Sequence, residues 1–284
     1  LDCLMEIFLN GEFISEDKAY ISPFDRGFMY GDGAFETLRV YNAKAFLLER
    51  HLGRLAHTLD GLKINDPYSF EDWFKYCNRL IQINELDDCI MRIQVSRGVG
   101  KRGYGSLESN THTSLISIHE APPVSGIKTN LNLITASNIL SDHNPLSTMK
   151  TANKLVNIIA MREAEVAGAD DALLLNREGN IAETTSGNIF AFMKGELHTP
   201  PISSGCLSGI TRGLILELAK DLGISCLQNN ITPERLTNSD GAFLTNSVRQ
   251  IQPIGSLDEK VIPENELTDK FANAYNKKIA KMTS

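Results

Sequence analysis

A lysine and a glutamate carry the chemistry that this chain is built to perform. Lys150 lies in Ser147-Thr148-Met149-Lys150-Thr151-Ala152-Asn153, just ahead of a stretch with helical periodicity. Glu183 lies in Ile181-Ala182-Glu183-Thr184-Thr185-Ser186-Gly187-Asn188-Ile189-Phe190, at the end of an expected strand. A lysine amine at a helix entrance can condense with an aldehyde. A carboxylate can hold a pyridine nitrogen protonated, so that the ring accepts electrons. An amine and a carboxylate so placed are what pyridoxal phosphate chemistry needs. Neither residue is diagnostic alone, and the rest of the chain has to supply a phosphate cradle and contacts for substrate.

The best cradle is Leu207-Ser208-Gly209-Ile210-Thr211-Arg212-Gly213, which precedes a helical pattern. A glycine turn at a helix start aims unpaired backbone N–H groups outward, and the helix dipole adds positive potential. A plain serine N-cap would have the same local sequence. Thr245-Asn246-Ser247-Val248 follows an expected strand and offers hydroxyl and amide donors, although an ordinary polar turn reads the same way. Arg54 sits beside a leucine stripe at positions 48, 52, 55 and 59. Its guanidinium could grip a phosphate through paired hydrogen bonds or simply be a solvated helix arginine.

Secondary-structure patterns organise these candidates. Residues 5–14 read as a hairpin around Asn10-Gly11, a favoured type I′ turn. Residues 34–40, 90–95 and 114–119 alternate as strands, and 48–62 and 69–84 carry helical stripes, the second opening on Ser-x-x-Asp. Further strands are expected at 131–136, 171–175, 188–193, 225–227 and 242–244, and helices at 153–167, 210–222 and 264–281. Pro122-Pro123 with Ser125-Gly126 is the best linker. The expected architecture is therefore α/β (a mixed α+β pattern) in two domains. Residues 1–121 form the smaller, 122–126 the linker and 127–284 the larger, cofactor-binding domain, with a ligand cleft between them.

Bulk properties exclude several roles. A net charge of −7 disfavours nucleic acid as a partner. No apolar run approaches the ~20 residues of a membrane span, and residues 1–5 lack the regions of a signal peptide. The five cysteines show no C-x-x-C spacing, which fits a reduced, cytoplasmic setting without a disulfide framework. The histidines never form H-E-x-x-H, and no metal site is expected.

In their order along the chain, several motifs together resemble the fold-type IV pyridoxal phosphate enzymes. These are Asp25-Arg26-Gly27, Tyr30-Gly31-Asp32-Gly33, the Arg54 helix, Lys150, the 183–190 stretch, 208–212 and Asn246 onward. That family contains branched-chain aminotransferases, D-amino acid aminotransferases and aminodeoxychorismate lyases. The likeness runs from Phe8 to the C-terminal helix. It implies two α/β domains with pyridoxal 5'-phosphate between them, and a homodimer whose partner chain contributes to each site at the domain and subunit interface. Carried over position by position, it makes Lys150 the Schiff-base lysine and Glu183 the partner of the pyridine nitrogen. It gives Arg54, Ile210, Thr211 and Ser247 to the phosphate, and Phe35, Arg102 and Tyr104 to a small-molecule amine substrate.

Within the family, three positions point toward the lyases. Branched-chain aminotransferases carry a tyrosine where this chain has Leu155, which cannot bond the cofactor's ring oxygen; Leu155 is equally an ordinary apolar helix residue. Thr37, in Gly33-Ala34-Phe35-Glu36-Thr37, resembles the lyase threonine that assists proton movement, and threonine is also a common strand residue. The 96–105 loop, with Arg102 followed by Tyr104 rather than histidine, and the 245–248 turn also look lyase-like. The implied activity is conversion of 4-amino-4-deoxychorismate into 4-aminobenzoate and pyruvate for folate synthesis, with Lys150 and Thr37 as catalytic residues. The alternative is a D-amino acid or branched-chain aminotransferase on the same fold. A non-catalytic binding protein would need neither Lys150 nor Glu183.

Overall fold

The computed structural model describes residues 4–105, 111–122, 130–141 and 144–284. Most of the expected linker at 122–126, positions 106–109 of the loop that follows Arg97, and Cys3 lie outside the described residues. The chain forms two compact units. The first takes the described residues up to Ala121 together with Met149–Asn153 and Lys281–Ser284; the second takes the described parts of Pro122–Thr148 and Lys154–Ala280. The segment bearing Lys150 thus belongs with the N-terminal residues. No described helix is long and apolar enough to cross a membrane.

The first unit is a six-stranded antiparallel sheet with helices on one face. Its elements are β1 (Glu6–Leu9), β2 (Glu12–Ser15), α1 (Arg26–Tyr30), β3 (Gly33–Tyr41), β4 (Lys44–Ala45), α2 (Leu48–Leu62), α3 (Phe70–Asn84), β5 (Cys89–Ser96) and β6 (Thr113–Glu120). The strand order is β2-β1-β6-β5-β3-β4. The hairpin turns at Asn10 and Gly11, both at positive φ, as a type I′ turn requires. Ser69 caps α3 by accepting a bond from Asp72 N at 3.1 Å. Strict alternation along β3, β5 and β6 sends Ala34, Leu38, Met91, Ile93, Val95 and Ile116 into a core shared with Leu52, Leu55 and Leu59 of α2 and Trp73 of α3. The opposite face carries Phe35, Thr37, Arg92, Gln94, Leu115 and Ser117, all only half-buried.

The second unit holds a mixed sheet of nine strands, with path β12-β11-β10-β13-β14-β7-β8-β9 and β15 against β14. Its strands are β7 (Leu131–Ile139), β8 (Asp171–Leu175), β9 (Ile181–Thr184), β10 (Asn188–Met193), β11 (Glu196–Thr199), β12 (Cys226–Gln228), β13 (Gly241–Asn246), β14 (Gln250–Leu257) and β15 (Lys260–Val261). Its helices are α4 (Leu155–Ala167), α5 (Ile210–Asp221), α6 (Pro233–Thr237) and α7 (Glu266–Thr283). β7 pairs in parallel with both β14 and β8. Leu173, Ile189, Leu244 and Ile254 fill one side of the core. Phe190 stacks on Phe243 with centroids 5.1 Å apart, and Phe271 of α7 lies 6.0 Å from Phe243. β14 is not evident from sequence because Pro253 cannot donate to a ladder. In the structure Pro253 faces Phe243 on one side only, and the pairing with β7 begins at Ile254.

Leu55 is 1% exposed and lies between α2 and the sheet. Leu55→Ala should therefore cost about 2–5 kcal/mol in urea unfolding through lost transfer energy and a residual cavity. An unchanged midpoint would contradict this packing.

Candidate active site

The Lys150 segment is laid along an uncovered edge of β3. β4 pairs only with Val40 and Tyr41, so the start of β3 has no neighbour on that side. Residues 150–152 fill it: Phe35 N donates to Lys150 O at 3.0 Å, Ala152 N donates to Gly33 O at 2.8 Å, and Thr151 bridges to Ala34. Lys150 N donates to Thr58 Oγ1 of α2 at 3.2 Å. The lysine is therefore held by a strip of β-pairing four residues ahead of the N-cap of α4, not by a helix turn. On its other side Gly33 lets β5 come close, because a Cβ there would stand 2.5 Å from Val95 O.

From this strip, Lys150 Nζ lies 4.5 Å from the Phe35 ring centroid. The guanidinium of Arg92 lies 4.2 Å from the same centroid. Arg92 is the cross-strand partner of Thr37, so the two side chains share the open face of the sheet. Its Nε donates to Gln94 Oε1 at 3.3 Å, and no described carboxylate pairs with it. Partial burial lowers its pKa, yet a guanidinium remains charged at any ordinary pH. Arg92 is not distinguished by residue type alone. Its signal was the parity of β5, in which Ile90, Arg92 and Gln94 alternate with the buried Met91, Ile93 and Val95.

The other face of β3 carries Glu36 into the core, fully buried. Arg54 grips it with both arms, Nε to Oε1 at 2.7 Å and Nη2 to Oε2 at 2.8 Å. His51 Nδ1 is 2.7 Å from Oε2. Arg54 is thus no solvated helix arginine; its side chain is 9% exposed. Burial pushes the Glu36 carboxyl up, but the Arg54 and His51 bonds outweigh it and hold the group at about 2. Burial pushes His51 down, further than Glu36 pulls it up, and Arg54 and Lys150 add to the depression. We read the cluster as carboxylate, guanidinium and neutral imidazole, with His51 Nδ1–H donating to the Glu36 carboxylate. A carboxylate at a core-facing strand position requires such partners, and that parity was visible in the sequence.

Arg102 and Tyr104 stand on an exposed loop after β5. Tyr104 is 89% exposed and its ring lies 5.8 Å from that of Tyr30. The Arg102 side chain makes no hydrogen bond with any described residue.

The remaining candidates lie in the second unit. Glu183 is the third residue of β9, and its Oε2 accepts from Leu207 N at 2.9 Å. Asn188 Nδ2 donates to Leu207 O at 2.9 Å, which steadies the same turn. Gly209 is the N-cap of α5 and has no side-chain cap. A Cβ on Gly209 would stand 2.0 Å from Asn188 Oδ1, so only glycine passes this amide without displacing it. Ile210 and Thr211 open the helix with backbone N–H groups that have no intrahelical acceptor. Thr245 is the cross-strand partner of Asn188, so their side chains share one face, and its buried Oγ1 has no hydrogen-bond partner among the described residues. Asn246 Oδ1 accepts from Val248 N at 3.0 Å and Arg249 N at 2.7 Å, which shapes the turn holding Ser247. A glycine-capped helix start beside an unpaired buried hydroxyl is a donor set suited to a phosphate.

The Glu36 cluster predicts how stability depends on pH. Glu36 titrates at about 2 when folded and 4.5 ordinarily, so its contribution is complete above about 4.5 and is lost as pH falls toward 2. His51 is held neutral below its ordinary 6.5, so its contribution too is complete above that value and is lost as pH falls below it. Urea midpoints should fall in both windows. Glu36→Gln should cost about 3–5 kcal/mol at neutral pH, because it leaves the Arg54 charge uncompensated, and should abolish the lower window. An acid profile identical to the parent's would rule out the buried carboxylate.

The sequence pattern of class IV amino-transferases matches residues 33–257. A Methanocaldococcus jannaschii protein provisionally named a branched-chain-amino-acid aminotransferase is 34% identical, over 95% of both chains. A Bacillus subtilis aminodeoxychorismate lyase is 31% identical over 97% of this chain and 95% of its own. A Legionella pneumophila structure, provisionally named a 4-amino-4-deoxychorismate lyase, superposes with a TM-score of 0.87 at 31% identity, covering 92% of this chain and 97% of the other.

Proposed function

This chain belongs to the class IV aminotransferase family of pyridoxal 5'-phosphate enzymes, and we propose that within it the chain is a 4-amino-4-deoxychorismate lyase. The observation that carries this reading is the open face of β3 and β5. There Thr37 pairs with Arg92, and Arg92 and Lys150 both lie against the ring of Phe35. A hydroxyl and a guanidinium without a carboxylate partner beside a lysine suit a substrate that bears acid groups and must be reprotonated as it breaks down. The lyase relative at 31% identity supports the same assignment.

The side chains fit the family's cofactor. The unpaired Thr245 hydroxyl beside the glycine-capped start of α5 supports Ile210, Thr211 and Ser247 as phosphate ligands. Arg54, fixed in one rotamer by its fork on Glu36, is assigned to the same group. Glu183, steadied by Leu207 N, is assigned to the pyridine nitrogen. When bound, the cofactor withdraws electrons from the carbon that carries the substrate nitrogen and makes its proton acidic. Lys150 Nζ takes that proton. Thr37 Oγ1 relays a proton to the departing enolpyruvyl group, which leaves as pyruvate while the ring becomes aromatic 4-aminobenzoate. Arg92 and Arg102 hold the substrate carboxylates, and Phe35 and Tyr104 flank its ring. 4-Aminobenzoate is a folate precursor, so this reading places the chain in cytoplasmic folate synthesis.

A homodimer also belongs to this reading. In the first unit Tyr20 and Phe28 are 83% and 78% exposed, and in the second Leu155 and Ile158 are 64% and 59% exposed. Apolar side chains this bare are suited to burial against a second copy. Light scattering that returned the monomer mass would remove this part of the reading.

Aminotransfer is the second reading, favoured by the relative at 34% identity. The two differ in their need for a keto acid. With aminodeoxychorismate alone, the protein should release fluorescent 4-aminobenzoate. Amination of keto acids without that product would replace the lyase assignment with the second reading. Lys150→Ala should abolish the borohydride-reducible cofactor band and slow turnover by about 10²–10⁴-fold.

A further inference from the structure

The loop that carries Arg102 and Tyr104 lies at the surface. Every side chain from Lys101 to Gly105 is exposed, two of the five residues are glycine, and Gly103 has φ +91°. Its carbonyls, however, converge on one buried group. Arg26, at the start of α1, is 4% exposed. Its Nη1 donates to Gly103 O at 2.8 Å, with longer approaches to Lys101 O at 3.3 Å and Gly105 O at 3.4 Å. Its Nη2 donates to Tyr104 O at 3.4 Å.

The arginine is itself fixed from behind. Arg26 Nε donates to Asp32 Oδ2 at 2.9 Å, and Asp32 also binds Arg97, whose Nε is 2.8 Å from the same oxygen. The Arg26 guanidinium lies 4.9 Å from the Tyr30 ring centroid, and Tyr30 Oη accepts from Gly103 N at 3.3 Å. Backbone bonding adds to this: Arg26 N donates to Gly98 O at 2.9 Å, and Asp25 caps α1 by accepting from Gly27 N at 2.7 Å. Four loop carbonyls thus depend on a guanidinium that is anchored at its own base.

We propose that Arg26 is a positioning residue for substrate recognition, holding residues 101–105 so that Arg102 and Tyr104 are presented in one arrangement. The inference rests on the reading of Arg102 as a carboxylate contact. Only a planar fork can serve carbonyls on both of its terminal nitrogens while its Nε binds Asp32. A lysine at this position would offer one compact charge and leave most of the loop carbonyls without a donor. The loop would then sample open states, and each recognition event would have to reorder it.

The test uses holoenzyme of the parent, Arg26→Lys, Tyr30→Phe and Arg102→Gln. Two quantities are read on each: the rate of tryptic cleavage after Lys101 and Arg102, and KM against kcat for whichever substrate the parent turns over. Arg26→Lys should raise both the cleavage rate and KM by about tenfold or more, with kcat changed less than about threefold and the cofactor absorbance unaltered. Tyr30→Phe removes only the Gly103 acceptor, so it should shift both in the same direction by a smaller factor; it carries the test if Arg26→Lys does not fold. Cleavage and KM both at parental values in a folded variant would overturn the proposal. So would faster cleavage with an unchanged KM in Arg26→Lys while Arg102→Gln raises KM. If Arg102→Gln itself leaves KM unchanged, the carboxylate reading of Arg102 fails, and this inference falls with it.

Discussion

The position of Lys150 depends on two backbone hydrogen bonds along the first residues of β3. Phe35 N to Lys150 O and Ala152 N to Gly33 O turn a connecting segment into an extra strip of the six-stranded sheet. An unpaired sheet edge is costly to bury and invites pairing. Here the vacancy left by the two-residue β4 is filled by the segment that carries Lys150. The lysine is thereby carried by the sheet itself, against the ring of Phe35. A reactive group carried this way needs little of its own sequence to be placed, because strand register does the placing.

The same strand imposes a second requirement. Alternation that turns Phe35 and Thr37 outward turns Glu36 inward among leucines and isoleucines. An unpaired carboxylate there would cost several kcal/mol. Arg54 and His51 offset that cost, and the bidentate geometry fixes the plane of the guanidinium. An arginine held by a buried carboxylate has lost its rotamer freedom before any ligand arrives. The fold thus obtains a preorganised cation from the need to neutralise a buried anion.

In the second unit, rigidity comes from turns rather than strands. Leu207 is held at both ends, its N–H by Glu183 and its carbonyl by Asn188. Asn188 also stands against Gly209, so one amide side chain connects the carboxylate of β9 with the start of α5. The Thr245 hydroxyl is one of three buried side-chain polar atoms that, among the described residues, lack a hydrogen-bond partner. Such exceptions concentrate where a ligand completes the hydrogen bonding.

Much of this was legible in the chain alone. Periodicity located α2 at residues 48–62, the Ser69 cap of α3, the Asn10-Gly11 hairpin and the alternating strands of the first unit. Residue chemistry singled out Lys150, Glu183 and the Gly209 turn. Other features could not be read locally. Pro253 concealed β14, because its ladder becomes permissible only once its partners are known. Arg54 looked like any helix arginine until Glu36 was seen beneath it. Arg26 belonged to a recognised motif, yet its four loop acceptors lie more than seventy positions away. By itself the sequence located most of the helices and strands and the side chains that could do chemistry, because period and residue type are local properties. The tertiary structure decided which edge receives Lys150, what Arg54 and Arg26 grip, and that Arg92 and Lys150 both lie against the ring of Phe35. Those are meetings between distant segments, and sheet register and burial set them rather than any neighbour in the chain.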